Sequence, residues 1–556
     1  MARKCWRARG GTVVAPSTRV QSRRAFLGRS AAVFAASCLA GRGLGAISPA
    51  HASTPTRRSV RDHGALGDGR TNDTRALQAA IDAVGRSGGT VDFPPGAYLS
   101  GTLRLRSRVT LRLEAGAMLI ASRNDADFDL VEELPYETFA DPETSDFRFA
   151  LLQGRDLTHV AIVGAGRIDG NRSGRNGPKP IALRRCRNVA IRDVTVLNAG
   201  NYNVSLLGCD GVDIQGITIV NGYSDGIDAD CCENVRIRDC RVESRDDAIV
   251  LKASLALGVR RPTRNVTVSN CHLTTLHNGL KLGTESAGDF RDISFTHCTV
   301  VGRPHPWKGE LSSGLAITTV DGGTLERVTV SDIRMTNVRS PIFVRLGMRG
   351  HGQEVGTGGT LRKVAISRVE AVGATVASSI TGVPGRAPSE ISLKHIRLTA
   401  KGGGEARVAA LAVPELEKTY PDAYMFRDLP AYGLYARHVE GLELDGLELG
   451  VDQPDGRPAL VLDDVRRARV RALHAMPAAE GEQPLLWLRS VRDCVVEGVR
   501  LRAGTRRVVR LSGQDTTAIR LAGGDLGRAE RVAVVDADVA PGALAIHGNP
   551  ERRAPR

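Results

Sequence analysis

One nine-residue pattern recurs through the central part of this chain and limits what the chain can fold into. It occurs at residues 188–196 (NVAIRDVTV), 211–219 (GVDIQGITI) and 234–242 (NVRIRDCRV), and it returns at residues 265, 292, 327 and 363. In each copy the second, fourth, seventh and ninth positions are apolar, and the sixth is mostly Asn, Asp or Gly. This alternation predicts two short strands separated by a polar bend.

The spacing of the copies predicts a solenoid. The first three copies start 23 residues apart and the next ones 31, 27, 35 and 36 residues apart, so the unit is constant while the loops vary. Units of this size stack on one another, and strands joined by loops of variable length favour an all-β, single-stranded right-handed parallel β-helix. A β-propeller is the alternative, but it needs about 40 residues and four strands per repeat.

A short helix is predicted to cap the N-terminal end of this solenoid. Asp73 is a suitable N-cap, and apolar residues follow it at helical spacing: Leu77, Ala80, Ile81 and Val84. The glycines at 88 and 89 then end the pattern. We therefore expect one amphipathic helix near residues 74–86, with strands after it.

Residues 1–52 have the features of an export signal. They hold nine of the 76 Lys and Arg residues and no Asp or Glu. A twin-arginine motif (SRRAFL, 22–27) is followed by a weakly apolar stretch at 31–40 and a small-residue cleavage pattern at 50–52. Export by the twin-arginine pathway to the periplasm or beyond, without a stable membrane anchor, is the prediction; a disordered basic tail is the alternative.

Removing this segment changes the charge argument. The net charge of +15 falls to +6 once the nine basic residues are subtracted. A nucleic-acid partner is therefore not expected. We expect one continuous domain over residues 53–556, acting as a monomer: the cap and first coils at 53–130, a central β-helix with the active-site cleft at 131–400, and C-terminal coils and tail at 401–556.

Six cysteines are in register with the repeat. They fall into two groups, one spaced by 23 residues and one at the seventh position of the pattern: Cys186, Cys209 and Cys232, and Cys240, Cys271 and Cys298. Residues in register stack on adjacent coils, so we expect two ladders of buried thiols that act as small apolar residues. This interpretation is preferred to disulfides or a metal site, and no metal or organic cofactor is predicted.

Two acidic clusters, residues 223–230 and 245–252, carry the candidate chemistry. Asp225 and Asp246 are 21 residues apart, close to one coil, so we expect them on neighbouring rungs about 4.8 Å apart. Like charges that close raise one pKa, and the two groups titrate as a unit. A protonated acid beside an ionised base suits hydrolysis of a glycosidic bond. A solvated acidic turn or a structural ladder of aspartates is the alternative.

Nearly the whole chain after the signal resembles glycoside hydrolase family 28, the polygalacturonase family, on the pectate-lyase-like β-helix. The motifs that carry the resemblance are 62–69 (DHGALGDG), 93–96 (FPPG), 164–170 (GAGRIDG), 224–228 (SDGID) and 246–247 (DD). The resemblance implies that Asp246 is the general acid. It also implies that Asp225 and Asp247 hold and activate the attacking water, with inversion at the anomeric carbon.

The chain departs from the family pattern at three places. Tyr223 replaces an Asn, and Asn278 replaces the catalytic-site histidine, while His277 stands one position earlier. The Arg-Ile-Lys that grips the substrate carboxylate corresponds to residues 316–318, which read Ala-Ile-Thr. An acidic sugar still needs a cation, because an unpaired buried charge is costly. The predicted substrate-binding residues are Asn278, His277, Lys281, Lys252 and Arg345, with Arg349 and Glu285 as further candidates.

The sequence therefore predicts an exported glycoside hydrolase that acts on a pectic polysaccharide or oligosaccharide. Homogalacturonan, a rhamnogalacturonan-type polymer and substituted or short oligomers all remain open as substrates. Two alternatives remain: a calcium-dependent polysaccharide lyase on the same fold, and a carbohydrate-binding β-helix without catalysis. Aromatic residues at 420, 424 and 426 either stack on sugar rings or close the solenoid.

Overall fold

Three ladders of parallel strands wind around one axis in a computed structural model of the chain. It describes residues 56–547, except for residues 137, 139, 141, 146, 173, 175, 304–311, 352, 354–357, 480 and 481. All pairings between the named strands are parallel, and each strand pairs with strands of the preceding and following coils. The fold is a right-handed parallel β-helix, as predicted, and the propeller alternative is wrong.

The first ladder runs the whole length of the solenoid. Its strands are Thr56–Ser59, Gly89–Phe93, Val109–Leu113, Thr158–Val163, Arg187–Arg192, Asp210–Gln215, Glu233–Arg238, Thr263–Ser269, Phe290–Thr296, Thr324–Thr336, Thr360–Ala374, Ser389–Gly402, Leu434–Gln453, Leu460–Arg471, Arg492–Val499, Thr517–Gly524 and Leu544–His547. From Thr324–Thr336 to Leu434–Gln453, these strands are long enough to continue into the second ladder.

The second and third ladders complete each coil. The other strands of the second ladder are Asp68–Asn72, Gly96–Ser100, Ala117–Ala121, Arg167–Asp169, Thr195–Leu197, Thr218–Gly222, Arg241–Ser244, His272–Thr275, Thr299–Gly302 and His474–Ala475. The third ladder contains Leu103–Arg104, Ala150–Arg155, Lys179–Arg184, Val204–Leu207, Ile227–Asp230, Ile249–Ala253, Asn278–Ser286, Ser313–Thr319, Ser340–Leu346, Ser378–Thr381, Leu486–Arg489, Arg507–Ser512 and Arg531–Val535. The starts of Leu434–Gln453 and Leu460–Arg471 also belong to it.

The predicted capping helix is confirmed at Thr74–Gly85, and its buried face consists of the four predicted apolar residues. Asp73 precedes it, but the Asp73 carboxylate does not cap the helix: it accepts from the backbone N–H groups of Leu66 and Gly67 and closes the preceding turn. The other helical segments are short: Val60–His63, Asp125–Asp127, Pro142–Ser145, Ala406–Ala410 and Leu526–Arg528. None of the helices in the described ranges is long and apolar enough to cross a membrane.

The backbone conformation explains why two positions of the repeated pattern are polar. Its first position is left-handed at Asn188 and Asn234, with φ of 56° and 55°, and its sixth at Asp193 and Asp239, with φ of 64° and 59°. Asn, Asp and Gly tolerate this conformation better than other residues do. The residue at the sixth position turns the chain between two strands, and the residue at the first position interrupts the ladder near the start of a strand. The pattern therefore encodes these bends as well as the strands.

Stacking of identical positions builds the interior. Ile191, Ile214, Ile237 and Val268 face one another on successive rungs of the first ladder and are fully buried. The two predicted cysteine ladders are also present, because the strands that follow those cysteines pair in register. All six cysteines are buried free thiols. Burial raises the pKa of the Cys209 thiol well above its usual range.

The residues with left-handed backbone should contribute measurably to stability. Asn265 has a φ of 53°, and its Nδ2 donates to Oδ1 of Asn234, 2.5 Å away. We expect Asn265→Ala to lower the free energy of unfolding by about 1–2 kcal/mol, because alanine is strained in the left-handed region. Denaturant unfolding would measure this. Thr267→Ala, an exposed position of the same strand, is the control; an equal loss there would contradict the explanation.

Candidate active site

The predicted carboxylates meet at one edge of the third ladder. Asp225 precedes the strand Ile227–Asp230, and Asp246 and Asp247 precede Ile249–Ala253. Because Ile227 pairs with Ile249, the residue on the rung next to Asp225 is Asp247, one position beyond the predicted Asp246. The backbone N–H of Asp247 donates to Oδ1 of Asp225 over 3.3 Å.

Asp247 is buried and surrounded by donors. Its Oδ1 accepts from the backbone N–H of Asn278 at 3.2 Å and from Asn278 Nδ2 at 2.6 Å. Its Oδ2 accepts from Lys281 Nζ at 2.8 Å. Against the effect of burial, Lys281 and then His277 lower the pKa of Asp247, so this carboxylate is ionised at neutral pH.

His277 joins three carboxylates. Its Nδ1 lies 3.2 Å from Oδ1 of Asp246 and 3.1 Å from Oδ1 of Asp247, and its Nε2 lies 3.1 Å from Oδ2 of Asp422. Burial would lower the pKa of His277, but the hydrogen bonds to these carboxylates raise it well above its ordinary value. His277 is therefore an imidazolium at neutral pH. For Asp246 burial is the largest effect and would raise the pKa, but the hydrogen bond from His277, together with the charges of His277 and Lys281, lowers it below its ordinary value.

Asp422 is a site residue that the sequence analysis missed. It lies 145 residues beyond His277 and reaches the site from a loop, where it also accepts a hydrogen bond from the hydroxyl of Ser312. The sequence marks this loop only by its aromatic residues, and no repeat position or motif connects Asp422 with His277. Only the folded chain brings the two together.

Asp225 differs from the other two carboxylates because it is desolvated with weaker compensation. It is 4% exposed, and its Oδ2 lies 3.3 Å from Lys252 Nζ. Burial outweighs the effect of Lys252, and the nearby Asp246 and Asp247 act in the same direction as burial. The pKa of Asp225 is therefore well above its usual range. One raised pKa within the group was predicted from the spacing, but it belongs to Asp225, whereas the resemblance assigns the acid role to Asp246.

Lys252 is a buried hub. Its Nζ lies 2.6 Å from Oδ2 of Asp228, donates to Tyr202 Oη at 2.8 Å and stands 4.4 Å from the centroid of the Tyr202 ring. Lys252 and Lys281 are 4% and 3% exposed. Both of the predicted lysines are thus at the site, where they bind the protein's own carboxylates.

A second group of charges lies beside Lys252. Glu285 stands 3.9 Å from Lys252 Nζ and 3.6 Å from the guanidinium of Arg349, which itself makes two hydrogen bonds to Asp321, at 2.9 Å and 2.6 Å. The ring of Tyr420 is 5.6 Å from Lys281 Nζ and 5.8 Å from Arg349 Cζ. Tyr420 is 45% exposed, so it is a polar and aromatic surface at the edge of the site.

Arg345 lies in a different environment from the substrate-binding one that was predicted. It is 1% exposed, and its guanidinium donates to the backbone carbonyls of Gly382, Glu415 and Leu416. These contacts make it an anchor for a covering loop, so we remove it from the predicted substrate-binding set. Ala316 and Thr318, where the family has Arg and Lys, are buried as well.

Three groups at the site have the geometry of metal ligands. Ligand atoms of Asp246, Asp247 and His277 all lie within 4.8 Å of one another. A bound cation would, however, meet the Lys281 ammonium and would have to displace the proton that His277 holds between the two carboxylates. The arrangement therefore fits an ion-paired acid and base centre better than a metal centre.

Comparison with known families decides the relationship. The model of the family "Glycosyl hydrolases family 28" matches residues 136–415, half of the chain. This chain belongs to glycosyl hydrolase family 28. The family described as "Rhamnogalacturonase A/epimerase, pectate lyase-like" matches residues 57–146 of this family 28 chain.

Individual relatives agree with this membership. A probable polygalacturonase of Vitis vinifera is 30% identical over 262 residues, which are 42% of this chain and 53% of the relative. An endo-polygalacturonase of Pectobacterium carotovorum is 23% identical over 357 residues, 59% of this chain and 84% of the relative. The chain spans about half the length of the first relatives that it matches. The Yersinia enterocolitica family 28 exopolygalacturonase shares the fold, with a TM-score of 0.58 and 18% identity over 76% of this chain and 79% of that one.

Asp422 should control the protonation of His277. We expect Asp422→Asn to lower the pKa of His277 by about one unit, because an opposite charge at hydrogen-bond distance stabilises the imidazolium. Titration of the histidine ring signals by NMR, assigned with His277→Asn, would measure the shift. Asp428→Asn, an exposed aspartate of the same loop, should leave the pKa unchanged. An unchanged value in both variants would contradict the assignment.

Proposed function

We propose that this family 28 protein is a glycoside hydrolase that cleaves pectic polysaccharide or oligosaccharide with inversion. The observation that supports this most is a proton donor held against carboxylates: His277 Nδ1 lies 3.2 Å from Oδ1 of Asp246 and 3.1 Å from Oδ1 of Asp247, with Asp225 on the rung beside Asp247. Acid and base chemistry on one glycosidic bond needs groups in both states. A structural ladder of aspartates would not need His277 between them.

Asp246 is the proposed general acid because it is the most accessible of the three aspartates. Its side chain is 30% exposed, whereas Asp225 and Asp247 are 4% and 3% exposed as whole residues. Its low pKa is compatible with this role if His277 supplies the proton. The imidazolium Nδ1 proton crosses 3.2 Å to Asp246, and Asp246 passes it to the glycosidic oxygen as the bond to the anomeric carbon breaks.

A water molecule completes the reaction. Asp225 and Asp247 hold it, its oxygen bonds to the anomeric carbon from the face opposite the leaving group, and its proton passes to the ionised Asp247. Oδ1 of Asp247 is 3.1 Å from His277 Nδ1, so this proton returns to the imidazole and the site is reset. Attack from the opposite face inverts the anomeric centre, and NMR of the first-formed anomer would test this.

The buried cations set the charge of the site and do not reach out to a substrate. Lys252 and Lys281 are enclosed and paired, so we propose that they hold Asp225, Asp228 and Asp247 in place. Tyr420 is the exposed neighbour, and we propose that a sugar ring stacks on it. This leaves polygalacturonate, rhamnogalacturonan and short oligomers as the substrates to compare.

Asp246→Asn should separate catalysis from binding. We expect the turnover number to fall by at least about 100-fold while the substrate still binds, because loss of a general acid typically costs 10²–10⁴ in rate. The assay is release of reducing ends from a panel of pectic polymers and oligomers, with binding measured by calorimetry. Asp193→Asn, at an exposed corner where Asn suits the backbone equally well, is the matched control.

Two other experimental outcomes would contradict the proposal that this protein is a hydrolase. An unsaturated product with new ultraviolet absorbance, together with loss of activity in chelator, would identify a calcium-dependent lyase. Binding of the polymers without any new reducing ends from the wild-type protein would identify a carbohydrate-binding protein without catalysis.

We also propose export by the twin-arginine pathway to the periplasm or beyond. The support is the sequence of residues 1–52, which lie outside the described residues. Replacing Arg23 and Arg24 by Lys should leave the protein in the cytoplasm, since the arginine pair is the signal for this route. Cell fractionation would measure it, and unchanged export would contradict the proposal.

A further inference from the structure

Two segments cover the outward face of the third ladder, one on each side of the carboxylates. The C-terminal strap is residues 406–430, and the N-terminal strap is the described part of residues 130–147. Neither belongs to a ladder, and each crosses several rungs. Their contacts determine how much of the ladder a linear polymer can reach.

The C-terminal strap packs on apolar residues that point outward from successive rungs. The ladder contributes Ala316, Phe343, Tyr435, Val461 and Trp487, and the strap contributes Ala409, Ala423, Phe426 and Leu429 to the same buried cluster. The position of the family's missing arginine, Ala316, is thus part of this contact. A large cation there would have to occupy the space that the strap fills.

Three arginines anchor the C-terminal strap by its backbone. They stand at one outward position of the third ladder and donate to strap carbonyls. Arg345 reaches Glu415 and Leu416 at 2.7 Å and 3.2 Å, Arg437 reaches Val413 and Pro414 at 2.5 Å and 2.9 Å, and Arg489 reaches Ala409. These partly buried, charge-assisted hydrogen bonds hold the strap along the ladder.

The N-terminal strap covers the rungs on the other side. Arg184 points outward and binds Glu132 and the hydroxyl of Tyr136. Tyr136 Oη donates to the carbonyl of Ala256 at 3.0 Å, and the ring of Phe147 lies 4.3 Å from Lys179 Nζ. Phe147 also packs with the outward Ala182 and Leu207.

The site between the straps opens at the turns that precede the third ladder. In the described residues, the outward positions on the neighbouring rungs are buried: Ser205 and Ala182 on one side, and Ala316, Phe343 and Ser379 on the other. Asp246 and Tyr420, at 30% and 45% exposed, mark the mouth. A polymer that ran along the ladder through the site would have to displace both straps.

We propose that the straps make the site a pocket that admits a chain end, so that the enzyme releases one short product from the end of a pectic chain. This inference rests on the proposed hydrolase function. Short oligomers fit such a pocket as well as polymers do, because only the terminal sugars enter it. An internal bond of a long chain does not reach Asp246.

The experiment follows product size and viscosity with the wild-type protein. Polygalacturonate and rhamnogalacturonan, and oligomers of each labelled at one end, are digested while reducing ends, viscosity and product length are recorded. We expect a product of one size from the first turnovers and little loss of viscosity as reducing ends accumulate. A spread of fragment lengths with an early drop in viscosity would overturn the chain-end inference but leave the hydrolase function intact. No reducing ends from any substrate would overturn both.

A variant tests the role of the strap directly. Arg437→Ala removes two backbone anchors of the C-terminal strap without touching the carboxylates. We expect it to release a wider range of product lengths than the wild type. Arg466→Ala, at an exposed arginine of the neighbouring strand Leu460–Arg471, should keep one product size. If circular dichroism shows that Arg437→Ala is folded and its product lengths match those of the wild type, the strap does not set the mode of attack.

Discussion

The parallel stacking of coils is the constraint on which the rest of this structure depends. Each residue lies about 4.8 Å from the residue at the same position of the next coil, so each side chain meets the side chains at that position in the coils above and below. Isoleucines and cysteines gain from this arrangement, because they bury apolar surface together. Carboxylates do not, and the rung that places Asp225 beside Asp247 requires compensating charge.

The compensation explains how the site is built. Lys252, Lys281 and His277 all come from the coils that carry the aspartates or from the next one, and each is buried against at least one carboxylate. The unequal distribution of these cations separates the protonation states: Asp247 has a lysine and a histidine, whereas Asp225 shares one lysine with Asp228. At the two positions that depart from the family pattern, Asn278 donates to Asp247 and His277 lies between the carboxylates, so both residues belong to the hydrogen-bond network of the site.

The covering segments add what the solenoid cannot supply. A regular β-helix presents the same outward face on every coil, so it has no built-in ends to a cleft. The two straps break this regularity, and the C-terminal strap also delivers Asp422 to His277 and Tyr420 to the edge of the site. The same strap buries the position where the family carries an arginine.

Much of this protein was determined by its sequence alone. The alternation of apolar residues predicts the strands, and the left-handed corners select Asn, Asp and Gly, so the coils, the capping helix and the cluster of aspartates were all predictable. These properties are local, because each depends on residues within a short stretch of the chain. The pairing of Asp225 with Asp247 was missed by one position, because register is set by hydrogen bonds between strands that the spacing along the chain only approximates.

The partners of the site were decided only by the tertiary structure. Asp422 meets His277 across 145 residues, and Arg345 serves a strap and not a substrate, because outward positions of a ladder are covered by whatever segment packs on them. No periodic pattern marks those segments, since their contacts are made with side chains from many coils at once. The repeated sequence pattern determined the β-helix. The environment of the site residues was decided by tertiary contacts between the straps and the ladder, and these contacts do not follow the repeat.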